Sequence, residues 1–223
     1  MSIVNNVKVF GLEDSIRAAK YPMSTNISKL NSNLTPGIDA LAAAAPGSGH
    51  DVMLTGIVVQ FDLTLSVKCW TEFQRYHFAD FVSSQSTMHR ITKFNLDNAY
   101  MPQTDPRIIE IMKEKVADYN YNMNVILPTL EAGAADPNND CGKKDLENFH
   151  NRMKEKYLEI LYSNPAGFRL TARITTNYRQ LKTMYYQRKD HRLPEWREFC
   201  AWIKTLPCAH LIVKELKENE NGK

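Results

Sequence analysis

The clearest change in hydrophobic pattern lies between residues 56 and 81. Residues 56–66 (GIVVQFDLTLS) alternate in part between apolar and polar side chains, which predicts a half-buried strand. In residues 67–81 (VKCWTEFQRYHFADF) the apolar spacing becomes that of a helix. Residues three and four apart share a helical face. One side of this helix is therefore predicted to carry Glu72, Arg75, Tyr76 and Ala79.

A second long segment, residues 168–189 (FRLTARITTNYRQLKTMYYQRK), contains neither Gly nor Pro and predicts a helix of several turns. At about 100° per residue, one stripe of this helix consists of Arg173, Asn177, Met184 and Arg188. Arg179 points to the opposite side. A helix with cations on two faces is predicted to lie between a pocket and a neighbouring subunit.

Three further helices have strong local signals. Asp105 is a predicted N-cap, and Pro106 follows it at the first helical position. Residues 144–162 place apolar side chains at helical spacing, and Pro194 starts a helix that ends before Pro207. The chain should therefore be rich in helices as well as strands.

The segments between these elements predict loops. Turn residues without a sustained apolar period occupy residues 24–37, 46–50 and 134–142, and residues 214–223 form a polar tail. The glycines at 46–50 lack the Lys and Ser/Thr of a phosphate-binding loop, so we expect a simple turn there. We expect one domain at residues 1–213, followed by the tail.

Composition removes several classes of function. The net charge of +3 comes from mixed acids and bases, and the chief exception is residues 169–192, with seven Lys or Arg against the single acid Asp190. The four cysteines lack zinc-ligand spacing, so no metal site is expected. A signal-peptide core and a bilayer-length apolar run are also missing from the sequence, which predicts a cytoplasmic protein with no membrane partner.

Two polar clusters about a hundred residues apart in the sequence carry the chemistry. The first is Arg75-Tyr76-His77 with Ser84-Gln85-Ser86, and the second is Asn177-x-Arg179 with Arg188. Their order and spacing resemble the flavin-dependent thymidylate synthases, the ThyX family. That family has a strand-to-helix step into Arg-His-Arg with a serine-containing tail, then Asn-x-Arg with an arginine eleven residues after the asparagine. Residues 7–23 are similar to its first strand and helix, whereas residues 24–49 and 118–145 show no clear correspondence to the family.

The chain departs from the family pattern at several of these positions. Tyr76 and His77 stand where the family has His and Arg, Gln85 stands at the tail's serine, and Thr87-Met88 replaces a following arginine. The family's strand histidine would fall near Thr55, so His50 is a few residues early. An arginine expected shortly before Pro165 is missing.

Glu72 replaces a glutamine that is common in the family, and two interpretations stay open. It could form an ion pair with Arg75, one helical turn away. It could instead accept a hydrogen bond from a ring amino group, as in cytosine, because the exchange removes a donor and adds a charged acceptor.

The resemblance implies an α+β fold, with an antiparallel or mixed sheet flanked by long helices, in a single domain that assembles as a homotetramer. It implies that FAD, NADPH and 5,10-methylenetetrahydrofolate serve the conversion of dUMP to dTMP. The residues it assigns to FAD are His50, Arg75, His77, Asn177 and Arg179. Those it assigns to the nucleotide substrate are Glu72, Ser84, Gln85, Ser86 and Arg188. Arg188, which would polarise the pyrimidine, and His50 are the expected catalytic residues.

Two alternative functions stay open. A relative on the same fold could methylate or hydroxymethylate another pyrimidine nucleotide such as dCMP, as Glu72 and the missing arginines suggest. A nucleic-acid-binding module could instead use residues 169–192, with Tyr178, Tyr185 and Tyr186 as stacking groups for single strands. We rank it last because these tyrosines and the basic residues fall on several faces of the predicted helix.

Overall fold

The computed structural model describes residues 2–45, 48–136 and 139–213, which form two compact units. The first comprises the described residues of Met1–Leu65, Cys69–Ser84 and Thr171–Lys223, and the second comprises those of Ser66–Lys68 and Gln85–Leu170. None of the helices in the described ranges combines the length and apolar character needed to span a bilayer. Two residues of the predicted 46–50 turn, 46 and 47, and the whole 214–223 tail lie outside the described ranges.

A four-stranded sheet organises the first unit. Its strands are β1 (Val4–Phe10), β2 (Val58–Ser66), β3 (Asp80–Ser84) and β4 (Arg169–Asn177), in the spatial order β1-β2-β4-β3. The β1–β2 and β3–β4 pairs are antiparallel. Side-chain hydrogen bonds join Gln60 to Thr175 and Thr64 to Thr171, so β2 and β4 also run in opposite directions. The predicted strand at residues 56–66 is confirmed as β2.

The predicted helix over residues 168–189 is wrong in its first half. Residues Arg169–Asn177 form β4, and only Tyr178–Arg188 form a helix, α8. From Ala172 to Thr176 every second residue of β4 is buried, as expected for a strand with one covered face. The Thr- and Ile-containing run RLTARITTN suits a strand better than a helix, because β-branched side chains are stiff at χ1. The stripe that joined Arg173 to Arg188 on one helical face therefore does not exist.

The predicted helix over residues 67–81 is also too long. Helix α3 spans Val67–Phe73, and the chain then makes tight turns before β3. In these turns the amide of Tyr76 donates to the carbonyl of Phe73 at 3.1 Å, and that of Ala79 donates to Tyr76 at 3.2 Å. Pairing with β4 satisfies the backbone of β3, so tertiary context overrides the local helical spacing.

The remaining helices agree well with their sequence signals. Asp105 caps α5 (Pro106–Tyr121), accepting a hydrogen bond from the amide of Arg107 at 2.9 Å. The other helices are α1 (Leu12–Ala18), α2 (Pro36–Ala42), α4 (Thr87–Arg90), α6 (Leu127–Ala134), α7 (Asp140–Ser163) and α9 (Pro194–Ile203). A π-helical segment (Asn122–Ile126) joins α5 to α6, and short 3₁₀ turns lie at Tyr21–Met23, Ile27–Lys29, Val52–Gly56, Ile91–Lys93 and Ala209–Leu211. The loop predicted at 24–37 therefore contains a 3₁₀ turn and the start of α2.

Each unit has its own buried core. In the first unit, aromatic rings pack between the sheet and α9, with Phe73 stacked on Trp196 at 5.9 Å and an interplanar angle of 16°. Phe61 and Trp202 meet at 4.7 Å. The core of the second unit consists of Ile91, Leu96, Ala99, Tyr100, Met112, Val116, Ile160 and Phe168. The aromatic core of the first unit fixes the positions of α3 and α9, which carry part of the candidate site.

Helix α1 approaches the Val52–Gly56 turn closely at two glycines. Gly11 has a φ of 70°, and a Cβ there would lie 2.5 Å from the carbonyl oxygen of Gly56. A Cβ on Gly56 would lie 2.5 Å from the hydroxyl of Ser15. Glycine at both positions thus allows the backbone contact that forms one wall of a cavity beside His50.

Candidate functional site

The junction between β4 and α8 holds two of the predicted cofactor residues. The side-chain oxygen of Asn177 accepts a hydrogen bond from the amide of Gln180 at 2.9 Å, so Asn177 is the N-cap of α8. The next amide, of Tyr178, donates to the carbonyl of Ile57 at 3.0 Å and ties the junction to the start of β2. Arg179 therefore sits in the first turn of a helix whose start is anchored at both sides.

A cavity of about 250 Å³ opens beside this junction. It is lined by Asp51, Thr55, Phe78, Asn177, Arg179, Gln180 and Thr183. The structure thus brings Asn177 and Arg179 to one concave site, although the predicted helix placed them on opposite faces. The role in FAD binding that the resemblance implies for both stays a prediction. We call this site the Arg179 cavity.

Asp51 supplies the negative charge of the Arg179 cavity and is only 1% exposed. Its Oδ2 accepts a hydrogen bond from Nζ of Lys182 at 3.0 Å, and its Oδ1 lies 2.9 Å from Nε of Arg179. Lys182 is itself buried and also donates to the carbonyls of Ala42 and Ala44, each at 2.7 Å. Three acceptors around one ammonium group explain how a lysine can be buried here.

Sequence reasoning missed Asp51 and Lys182. No motif marks Asp51, which follows the glycine-containing turn directly. Lys182 lies among the buried residues of α8, such as Tyr178, Leu181 and Tyr185. A lysine on an apolar helical face is a recognisable signal, but the signal appears only once the helix is known to begin at Tyr178.

His50 lines a neighbouring cavity of about 430 Å³ in the same unit. Its lining is formed by residues of α1 and of the Val52–Gly56 turn, with Thr55 common to both cavities. The His50 side chain is exposed, and its amide contacts the hydroxyl of Ser48 at 3.4 Å. His50 therefore lies next to the Arg179 cavity rather than in its lining.

A second polar cluster surrounds Glu72 near the end of α3. Its Oε2 lies 3.1 Å from Nη1 of Arg188, 3.1 Å from Nε1 of Trp196 and 3.3 Å from Nε2 of His191. The Nε of Arg188 also donates to the hydroxyl of Tyr76 at 2.7 Å, and its guanidinium lies 4.7 Å from the centre of the Trp196 ring. The side chains of Glu72 and Arg188 are 13% and 17% exposed.

This cluster brings together Glu72 and Arg188, which were both predicted to bind substrate, and it makes them partners of each other. The sequence suggested Arg75 as the ionic partner of Glu72, whereas the structure pairs its carboxylate with Arg188. Arg75 and His77 lie exposed in the turns between α3 and β3. Phe73 of α3 and Trp196 of α9 stack in the core beside this cluster.

The predicted serine-containing tail follows β3. Ser84 ends β3, is exposed and pairs with Ala172 of β4 in the first unit. Gln85 and Ser86 belong to the second unit, where Gln85 is exposed and Ser86 precedes α4. Their predicted role in binding a nucleotide stays a prediction.

The tyrosines predicted as stacking groups are not arranged for that role. Tyr178 is fully buried and donates its hydroxyl to the carbonyl of Pro207, and burial raises the pKa of this hydroxyl. Tyr185 is 7% exposed, and only Tyr186, at 43%, offers substantial ring surface. The basic segment 169–192 also begins as a strand rather than a helix. Burial of Tyr178 and Tyr185 therefore weakens the case for a single-strand-binding module, which stays an untested alternative.

Comparison with known proteins identifies the fold. No family model and no curated protein sequence matches the chain. Two crystal structures of the flavin-dependent thymidylate synthase ThyX from Helicobacter pylori, with FAD and dUMP, match it with a TM-score of 0.60 at 13% sequence identity. Each match covers 95% of this chain and 98% of the Helicobacter pylori chain. The predicted α+β, ThyX-like fold is thus confirmed, with an antiparallel sheet.

Proposed function

We propose that the chain is a flavin-dependent methyltransferase that converts dUMP to dTMP. The observation that carries the proposal is the joint placement of Asn177 and Arg179 in one cavity on a ThyX fold. The resemblance to the ThyX family implies that both residues hold FAD, and the two Helicobacter pylori structures of the same fold contain FAD and dUMP.

The Arg179 cavity suits one part of a dinucleotide cofactor. The cap uses the side-chain oxygen of Asn177, so both of its amide N–H groups can serve a ligand. Arg179 adds a charged donor, and the buried Oδ1 of Asp51 adds an acceptor that no hydrogen bond within the described residues reaches. Asn177 and Arg179 would hold FAD here, and His50 would face it from the neighbouring cavity.

The proposed reaction transfers one carbon from 5,10-methylenetetrahydrofolate to C5 of dUMP. The two bonds from the methylene carbon to the folate nitrogens would break, and these nitrogens would take up the C5 proton and one proton from solvent. NADPH would supply the hydride equivalent that reduces the carbon to a methyl group. Bound FAD supplies the redox chemistry that relays these electrons. The products are dTMP, tetrahydrofolate and NADP⁺.

Arg188 is the residue of this chain that would contact the pyrimidine ring. Its guanidinium would stabilise negative charge developing on the ring carbonyl. Because Glu72 and Tyr76 already engage Nη1 and Nε, the nucleotide would bind at the remaining N–H groups. Glu72 and Trp196 would keep the guanidinium in a fixed orientation.

The direct test is a product assay. The purified protein is incubated with FAD, NADPH, methylenetetrahydrofolate and dUMP, and the nucleotide is analysed by mass spectrometry. A mass gain of one CH₂ group that requires both FAD and the folate supports the proposal. Its absence for every pyrimidine nucleotide, from a folded protein that binds FAD, would reject the methyltransferase activity.

A second candidate substrate is dCMP, methylated or hydroxymethylated by the same fold. The mostly buried carboxylate of Glu72 beside Arg188 favours it, since an acceptor next to a donor complements the amino and carbonyl groups of cytosine. The same product assay with dCMP in place of dUMP shows which of the two nucleotides is the substrate. Product from dCMP alone would select this alternative.

A further inference from the structure

Asp51, in the lining of the Arg179 cavity, has a buried side-chain oxygen that accepts no hydrogen bond from the part of the chain that the structure describes. Oδ2 of Asp51 is held by Lys182, but Oδ1 is buried and receives no hydrogen bond from the described residues. Nε of Arg179 lies 2.9 Å away as an ion-pair contact without hydrogen-bond geometry. The ion pairs with Arg179 and Lys182 offset the charge of Asp51, but they leave a hydrogen-bonding position of Oδ1 open within the described residues, which points to a partner supplied by a ligand.

The other polar groups of the cavity define what that ligand must offer. Thr55 and Thr183 donate their hydroxyl protons to the backbone carbonyls of Val52 and Arg179, at 2.6 and 3.2 Å, so their oxygens face a ligand as acceptors. The amide of Asn177 and the guanidinium of Arg179 are donors. The cavity thus complements a group that both donates and accepts hydrogen bonds.

The hydroxyl groups of a polyol both donate and accept hydrogen bonds, whereas a fully ionised phosphate can only accept them. A phosphate placed beside Oδ1 of Asp51 would be repelled by a buried like charge. A hydroxyl can donate to the carboxylate in a charge-assisted bond and accept from Arg179 or Asn177. Carboxylates bind ribose hydroxyls in this manner in other dinucleotide sites.

We propose that the Arg179 cavity binds the hydroxyl-bearing part of the cofactor, with Asp51 as the acceptor for its hydroxyl groups. The inference rests on the proposed use of a flavin nucleotide and adds the part of the ligand that this cavity recognises. The polyol is either the ribityl chain next to the flavin ring or the ribose of the adenosine half. The phosphates lie outside the contact with Asp51.

Two ligand pairs test the proposal on the unmodified protein. Lumiflavin lacks the ribityl chain of riboflavin, and 2′,3′-dideoxy-ADP lacks the ribose hydroxyls of ADP. Dissociation constants are measured by flavin fluorescence for the first pair and by calorimetry for the second. We expect the hydroxyl-bearing ligand of one pair to bind at least about tenfold more tightly, as for hydrogen bonds to a charged group. Equal affinity within both pairs overturns the proposal.

The variant Asp51→Asn then identifies the acceptor. It keeps the side-chain volume and removes the charge, and Asp39→Asn, at a half-exposed carboxylate on α2, is the matched control. In whichever ligand pair shows a preference for the hydroxyl-bearing member, Asp51→Asn should abolish that preference and Asp39→Asn should retain it. If Asp51 only supported the fold, both members of the pair would weaken equally and the preference would survive. Should Asp51→Asn not fold, the comparison of ligands on the unmodified protein decides the question.

These outcomes separate the inference from the proposed function. Tight FAD binding without any hydroxyl preference rejects the polyol assignment and leaves the flavin function standing. Hydroxyl-dependent binding of ADP without flavin binding rejects the flavin function and keeps the role of Asp51. Failure of every probe to bind rejects both.

Discussion

At the scale of single residues, the candidate site depends on charged side chains that are paired in the interior. Glu72 lies 116 positions from Arg188 in the sequence, and Asp51 lies 131 positions from Lys182. A local rule such as helical spacing could suggest Arg75 for Glu72, but it could not suggest a partner on another element. Both pairs join elements that are distant in the sequence, so they could not be predicted from local spacing.

Glu72→Gln should destabilise the first unit. Arg188 would lose its counter-charge while staying mostly buried, so we expect a loss of about 1–3 kcal/mol in the free energy of unfolding. Tryptophan fluorescence during denaturant unfolding measures it, because Trp70, Trp196 and Trp202 all belong to this unit. Glu147→Gln, at an exposed position of α7, should change stability by less than about 0.5 kcal/mol. Equal small changes in both variants would contradict the account of the Glu72 cluster.

At the scale of elements, strong local signals gave correct helices and weaker ones were overridden. Asp105-Pro106 and Pro194 mark helix starts by capping chemistry, which acts within a few residues and is therefore visible in the sequence. The strand Arg169–Asn177 was mistaken for a helix because its cations and threonines do not alternate clearly with apolar residues. Its burial on alternate positions depends on the sheet, which the sequence alone does not show.

Asn177 has two roles at the start of α8, and two substitutions separate them. Asn177→Asp keeps a good N-cap, so stability should stay within about 0.5 kcal/mol, but it replaces the donor amide by a carboxylate. We expect FAD affinity to fall by about tenfold or more. Asn177→Ala should lose the same affinity and also about 1 kcal/mol of stability. If Asn177→Asp binds FAD like the unmodified protein, Asn177 does not contact the cofactor.

The sheet should contribute to acid sensitivity through Asp62. Hydrogen bonds from Asn6 on β1 and Arg173 on β4 lower the pKa of this carboxyl group in the folded protein. Its stabilisation is therefore present above the unfolded pKa, about 4, and is lost as the pH falls through the lower folded value. Unfolding free energies at several pH values should show that Asp62→Asn is less stable at pH 6 and that the gap narrows below pH 4. A gap that stays constant with pH would show that the charge of Asp62 plays no part.

At the scale of the whole molecule, the order of motifs predicted the fold where no sequence match exists. Asn177 and Arg179 were selected by the Asn-x-Arg motif, and the structure places them where β4 turns into α8. The positions of Arg75 and His77 were not predicted, because the helix that should have carried them ends at Phe73. Tyr76 and His77, which differ from the family pattern, thus lie in the turns between α3 and β3, and the sequence did not predict these turns.

We propose that the protein assembles as a homotetramer, as the resemblance to the ThyX family implies. Light scattering coupled to size-exclusion chromatography should then give four times the chain mass of 25.6 kDa. A monomeric mass across the concentration range would count against this assembly.

We expect the Arg179 cavity to hold a flavin nucleotide, and the visible absorption spectrum of the purified protein shows whether it does. FAD is titrated into the purified protein and into the Arg179→Gln variant, and dUMP is then added. We expect a saturable shift of the flavin bands in the unmodified protein, a further change with dUMP, and a weakened or absent shift in the variant. A flavin spectrum that stays identical to that of free FAD would contradict the claim.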